Sequence, residues 1–211
     1  MKLALTYFNF PFWRAEVSRL ALHLGGIPFE DIRPDRDQWM ALKASGTLPY
    51  GQLPVLDVDG VRYAQTGAIA RFCGQLSGLY PTSDPIAALR VDELLDAATE
   101  INYELYPTMR VKDPEEKLAM RQALGREQIP RWLTAIETRL LDNETQAYFV
   151  GTQMTVADLA IWRLIAWFTS GILDGVPTDL VDKHPALKAH HAAIDADPRI
   201  RAWMESHYPS K

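Results

Sequence analysis

The chain has 211 residues, 47% of them apolar and 23% charged, with a formal net charge of -5. That profile fits a globular protein of one large domain or two small ones, with a core that needs no disulfide staples. The acidic excess, with no Lys/Arg block to offset it, argues against a nucleic-acid partner, and the single cysteine, Cys73, excludes an intrachain disulfide and a zinc-type cysteine cluster.

Lys2–Tyr7 reads as a strand, and Arg14–Leu24 has helical spacing with Val17, Leu20, Ala21 and Leu24 on one face. Gly25-Gly26 ends that helix, and Ile27–Ile32 gives a second, weaker strand. A loop follows. Leu53–Val58 and Val61–Tyr63 flank Asp59-Gly60, a two-residue hairpin signal of the type I′ kind. Thr66 stands at an N-cap position before an apolar helix, Ala68–Leu76. The order βαβ, loop, ββα predicts a parallel strand pair extended by an antiparallel hairpin. Leu79–Pro85 is rich in turn residues and reads as a linker.

Beyond it the chain reads as helix. Ile86–Tyr106 carries an acidic stripe (Asp92, Glu93, Asp96, Glu100) and is stopped by Pro107. Glu115–Leu141 reads as one helix with Pro130 as an interior complication. Thr155-Val156-Ala157-Asp158 is a capping box opening an apolar helix. Pro185–Ala196 and Pro198–Trp203 close the chain. The apolar run Leu159–Phe168 contains Arg163 and is too short to span a bilayer, and Met1–Leu5 is too brief for a signal-peptide core. The expected location is the cytoplasm, where a lone thiol stays reduced, with no membrane or nucleic-acid partner.

Single residues carry little chemistry. The five histidines form no metal-binding pattern, and those near the C-terminus read as solvated or capping groups. Cys73 reads as a small buried filler, because no base or CxxC partner adjoins it. A more informative set surrounds the hairpin. A proline opening a strand, as in Leu53-Pro54, suits a sheet edge or a cis turn. A cis bond there would offer the Leu53 backbone to an extended peptide. Gln65-Thr66 open a helix whose free N–H groups favour a carboxylate. Trp39 and Lys43 share a helical face, where Lys43 could hold a second carboxylate. Together these residues describe a groove for a short peptide with an acid at each end; separately they are a turn, a cap and a surface pair.

The ordered set Tyr7, Arg14-Ala15-Glu16, Trp39, Lys43, Gly51-Gln52-Leu53-Pro54, Asp59-Gly60, Gln65-Thr66, Asp92, Asp96 and Thr155–Asp158 resembles the cytosolic glutathione S-transferase family. Within that family the chain is most similar to the sigma class and its haematopoietic prostaglandin D synthases. The resemblance implies an α/β thioredoxin-like glutathione-binding domain at residues 1–78, a linker at 79–85 and an all-α domain at 86–211 that forms the second-substrate pocket. It implies glutathione as co-substrate and a small hydrophobic electrophile as the other, with no metal required. Tyr7 would stabilise the glutathione thiolate and Arg14 would assist it electrostatically. Trp39, Lys43 and Gln52 would hold the glycyl end, Leu53 before Pro54 the cysteinyl unit, and Gln65 and Thr66 the γ-glutamyl carboxylate. Asp96 would reach the other subunit's site in a homodimer.

The segment Phe8-Asn9-Phe10-Pro11-Phe12-Trp13 departs from the family pattern. It is one residue longer, and Trp13 stands where the sigma pattern has glycine. Such a loop could displace Arg14 or narrow the pocket. It also suggests a flat, apolar co-substrate, walled by Phe10, Phe12, Tyr103 and Tyr106. Beside conjugation, the resemblance admits two alternatives: a glutathione-dependent isomerase or peroxidase acting on lipid-like substrates, and a crystallin-like or ligand-carrying protein without catalysis.

Overall fold

The computed structural model describes residues 1–209. The end of the expected second domain, at residues 210–211, lies outside the described residues. The first part of the chain runs β1 (Leu3–Thr6), α1 (Trp13–Leu24), β2 (Glu30–Ile32), α2 (Arg36–Ala44), β3 (Val55–Val58), β4 (Val61–Ala64) and α3 (Thr66–Ser77). The sheet has the order β2-β1-β3-β4. Strand β1 pairs parallel with β2 and antiparallel with β3, and β3 pairs antiparallel with β4. This is the parallel pair extended by an antiparallel hairpin that the βαβ-ββα order predicts, and the thioredoxin-like domain that the resemblance implies. The hairpin turn has positive φ at Asp59 (50°) and Gly60 (87°), as a type I′ turn requires.

The expected loop before the hairpin holds a helix, α2. Its start is fixed by a capping box in which Asp35 accepts from the Gln38 amide (2.9 Å) and the Gln38 side chain accepts from the Asp35 amide (2.9 Å). No residue of α2 is fully buried; Trp39 and Leu42 pack partly buried against the core. The strand expected over 27–32 shortens to Glu30–Ile32. Helix α3 begins one residue earlier than its expected cap. Gln65, with φ of 80°, is the N-cap, and Thr66 is already helical.

The remainder is helical: α4 (Pro85–Leu105), a 3-10 turn (Tyr106–Met109), α5 (Pro114–Arg126), α6 (Gln128–Leu141), α7 (Val156–Thr169), a second 3-10 turn (Leu180–Lys183), α8 (Pro185–Asp195) and α9 (Pro198–His207). The helix expected over 115–141 is two. The chain breaks at Glu127 (φ -122°, ψ -63°), and Pro130 falls in the first turn of α6. A missing N–H costs nothing there, because first-turn amides have no intrahelical acceptor. Helix α9 runs to His207, past the expected end at Trp203.

Helix α7 is the spine. Its residues from Val156 to Phe168 are buried except for Arg163 and Ala166, and it packs against α1, α4 and α8. Asp158 locks its first turn. One carboxylate oxygen accepts from the Thr155 amide (2.7 Å) and hydroxyl (2.9 Å), the other from the Phe149 amide (2.9 Å) and His190 Nε2 (2.9 Å). His190 and His184 are buried and bonded, His184 to Glu137 at 3.1 Å, and not solvated; His184 does hold the N-cap position of α8, without a side-chain cap bond. Among the described residues no helix is long and apolar enough to cross a membrane, and no group of three or more His, Cys, Asp or Glu residues is placed to hold a metal ion.

Candidate active site

Tyr7 directly follows β1, where its amide donates to the Ile32 carbonyl (3.0 Å) and continues the β1–β2 pairing by one residue. Its ring is buried among Phe8 and Phe10, with centroids 5.4 and 5.6 Å away. Burial pushes the phenol up to about 12, against the opposing pull of the Arg14 and Arg19 guanidinium groups. A phenol so shifted stays protonated near neutral pH, so Tyr7 can act as a hydrogen-bond donor and not as a base.

Its backbone is held from below. Arg19, fully buried on α1, donates to the carbonyls of Tyr7 (3.2 Å) and Phe8 (3.3 Å) and to Asp31 (2.9 Å). Arg19 also meets the buried Glu16 (3.3 Å), which accepts from Trp203 Nε1 (2.5 Å) and the Tyr208 hydroxyl (2.6 Å). The C-terminal helix is thereby tied to the turn that carries Tyr7. A buried charge is tolerated only when so completely partnered.

Two depressions meet beside α1. The first is a groove lined by Trp13, Arg14, Tyr50, Gln52, Leu53, Pro54, Ala64, Gln65, Thr66, Gly67, Thr99 and Tyr103. The Leu53–Pro54 peptide bond is cis. Gln65 gives α3 no side-chain cap, so the first amides of α3 are free at the groove, where the helix dipole favours an anion. The second depression is a cleft of about 580 Å³, walled by Tyr7, Phe8, Phe10, Pro11, Phe12, Arg14, Asn102, Tyr106, Met109, Arg163, Ala166, Trp167, Ser170 and Ile172. Arg14 lines both. Its guanidinium donates to the Asn102 side chain on α4, which is buried.

Of the residues expected to act, the groove brings together Arg14, Gln52, Leu53, Pro54, Gln65 and Thr66, and the cleft adds Tyr7. Trp39 and Lys43 flank the groove without lining it. Trp39 packs edge-on against Phe8 (5.3 Å), and the exposed Lys43 ammonium lies 6.0 Å from the Trp39 ring centre. Asp96 does not line its own chain's groove. It is exposed on α4 and paired, with Asp92, to Arg71 of α3 (3.0 and 2.6 Å).

Phe10, Phe12 and Tyr106 wall the cleft as expected, whereas Tyr103 faces the groove. The Trp13 side chain is 1% exposed, belongs to the core and does not line the cleft. Arg14 lines both depressions and bonds to Asn102. Tyr50, Thr99, Asn102 and Arg163 were not legible as site residues. Only Arg163, a charge inside an apolar helical run, carried any signal. Cys73 is fully buried, with its thiol pushed up to about 12 by burial, consistent with a filler.

The glutathione S-transferase N-terminal domain model matches residues 3–75, and the glutathione S-transferase C-terminal domain model matches residues 100–207. The chain is 34% identical over 203 residues to glutathione S-transferase 1 of Ascaris suum, covering 95% of this chain and 94% of the relative. It is 33% identical over 201 residues to hematopoietic prostaglandin D synthase of Gallus gallus, again covering 95% and 94%. The solved structure of prostaglandin synthase D of Nilaparvata lugens superposes over 100% of both chains with a TM-score of 0.85 at 29% identity. With both domain models matched in order and relatives aligned along nearly its whole length, this chain belongs to the glutathione S-transferase family.

Proposed function

We propose that the chain conjugates the glutathione thiolate to apolar electrophiles, with the groove holding the tripeptide and the cleft holding the second substrate. The observation that carries this reading is the junction. The peptide-shaped groove and the apolar cleft share Arg14, and Tyr7 stands in the cleft wall beside it. Glutathione lying along Leu53 with its γ-glutamyl carboxylate on the α3 N-terminus would deliver its sulfur there. Gln65 and Thr66 then serve the γ-glutamyl end, and Gln52, Trp39 and Lys43 the glycyl end.

Only the thiolate attacks. Donation from the Tyr7 hydroxyl and the charge of Arg14 both favour the anion. Lowering a thiol from about 8.5 to about 6.5 raises its ionised fraction at pH 7 from roughly 3% to roughly 75%. Binding sulfur and electrophile side by side removes the entropy cost of their encounter.

The same proposal divides the chain at 1–78, 79–85 and 86–211, supported by α3 ending at Ser77 and α4 starting at Pro85. It makes the working unit a cytoplasmic homodimer in which Asp96 reaches the neighbouring groove. Similarity to hematopoietic prostaglandin D synthase supports a second use of the same thiolate, isomerisation of a lipid-like substrate.

The test pairs conjugation of a chloronitrobenzene with a mass by light scattering. Wild type should conjugate and run at twice 23.8 kDa, and Tyr7→Phe should lose about a hundredfold in kcat/KM. Unchanged turnover in Tyr7→Phe removes Tyr7 from its role, and a lone monomer removes Asp96 from the site.

A further inference from the structure

The cleft beside Tyr7 is mostly apolar: its neutral polar side chains are Tyr7, Asn102, Tyr106 and Ser170, its charged ones are the guanidinium groups of Arg14 and Arg163, and no carboxylate among the described residues lines it. Arg14 is engaged by Asn102. Arg163 is different. It stands on the most buried helix, α7, on the face that turns Arg163, Ala166, Trp167 and Ser170 toward the cleft. Its Nε (3.2 Å) and Nη2 (2.5 Å) both donate to the carbonyl of Pro11, and its guanidinium lies 4.8 Å from the Trp162 ring centre. Nη1 has no protein acceptor among the described residues.

The charge of Arg163 is poorly compensated. It makes no salt bridge among the described residues, and the carboxylates that act on it through space are Glu16 and Asp195. Glu16 is already committed to Arg19, Trp203 and Tyr208. Burial pushes the guanidinium below its ordinary pKa, yet arginine stays charged. A half-buried cation lining a mostly apolar cleft, with no carboxylate paired directly to it among the described residues, favours an anion arriving with the ligand. The loop that departs from the family pattern supplies the Pro11 carbonyl that fixes the guanidinium in place.

Resting on the conjugation reading, we propose that Arg163 anchors the carboxylate of an amphipathic second substrate, so that the cleft selects electrophiles with an apolar body and an acidic end. An alk-2-enal with a terminal carboxylate has this chemistry. Its chain would lie on Phe10, Phe12 and Trp167, and its acid would take the free Nη1 of Arg163. The glutathione sulfur forms a bond to the β-carbon, and the alkene π pair moves onto the carbonyl as an enolate. The α-carbon then takes a proton from water, and the hydroxide left is neutralised by the proton released when the thiol ionised.

The test uses two matched pairs on the full-length protein. Calorimetry with a saturated medium-chain alkanoate and its methyl ester reads binding without chemistry. Steady-state kinetics with the carboxy-enal and its methyl ester, in saturating glutathione, reads turnover. The wild type should favour the acid over the ester in both. Arg163→Gln should cut that preference about tenfold, through Kd for the alkanoate and KM for the enal, and Arg163→Lys should restore part of it.

A wild type that binds acid and ester equally overturns the anchor. So does an Arg163→Gln variant that weakens both members of each pair alike, because then Arg163 only braces the Pro11 loop. Acid-selective binding without turnover of any electrophile keeps the anchor and overturns the conjugation reading instead.

Discussion

In the proposed reaction Tyr7 and Arg14 would divide the work of making a thiolate. Tyr7, kept neutral by burial, would donate its hydroxyl to the sulfur rather than take its proton; Arg14 would add charge from the junction of groove and cleft. Among the described residues Arg14 has one hydrogen-bond partner, the buried Asn102. Asn102→Ala should therefore free the guanidinium and lower kcat/KM by about tenfold, while the KM for glutathione shifts much less, because the peptide's ends are held elsewhere. Steady-state kinetics with glutathione varied would check this, and a loss carried by KM alone would assign Asn102 to glutathione binding. Asn102 could not have been found in the sequence. It is one polar residue in an otherwise regular helix, and nothing local tells a solvated asparagine from one that meets an arginine 88 residues away. Tyr7 was legible because it ends a strand and heads an ordered series of motif residues.

At the scale of elements, the capping box of α7 is the clearest case of local sequence serving distant structure. Thr155–Asp158 is readable as an N-terminus, but the second carboxylate oxygen of Asp158 also holds the Phe149 amide and His190 of α8. Asp158→Ala would leave two buried backbone amides and a histidine without acceptors, and should cost about 3–5 kcal/mol. Urea unfolding would show it as a lower midpoint at unchanged m. A loss below about 1 kcal/mol would mean that only the cap was removed.

The elements with strong periodicity or turn chemistry, β1, α1, the Asp59-Gly60 hairpin and α7, were readable. Helix α2 was legible only as the face shared by Trp39 and Lys43 inside an expected loop, because it is nine residues long and buries none of them fully. The break between α5 and α6 was hidden because Pro130 is compatible with either an interior kink or a first turn, and only tertiary packing decides.

For the whole molecule, the sheet-containing region supplies most of the groove, with Thr99 and Tyr103 of α4 completing it, and the helical region supplies most of the cleft, with α1 packed against α7. The order of chemistry-bearing residues along the chain was legible as a family pattern. The pairing of Arg19, Glu16, Trp203 and Tyr208 that ties the C-terminal helix to the Tyr7 turn was not, since its partners lie up to 192 residues apart. In the proposed reaction the neutral Tyr7 and the cationic Arg14 would meet the thiol of a groove-bound peptide and favour its ionisation.

The most direct measurement is an ultraviolet titration of the glutathione complex, following thiolate absorbance against pH with Tyr7→Phe in parallel. The wild-type complex should show the thiolate forming below pH 7, against about 8.5 for a free cysteine thiol, and the variant should move it upward by at least about 1 unit. Glutathione bound with an unshifted thiol in both proteins would contradict the account and leave a site that holds the tripeptide without activating it.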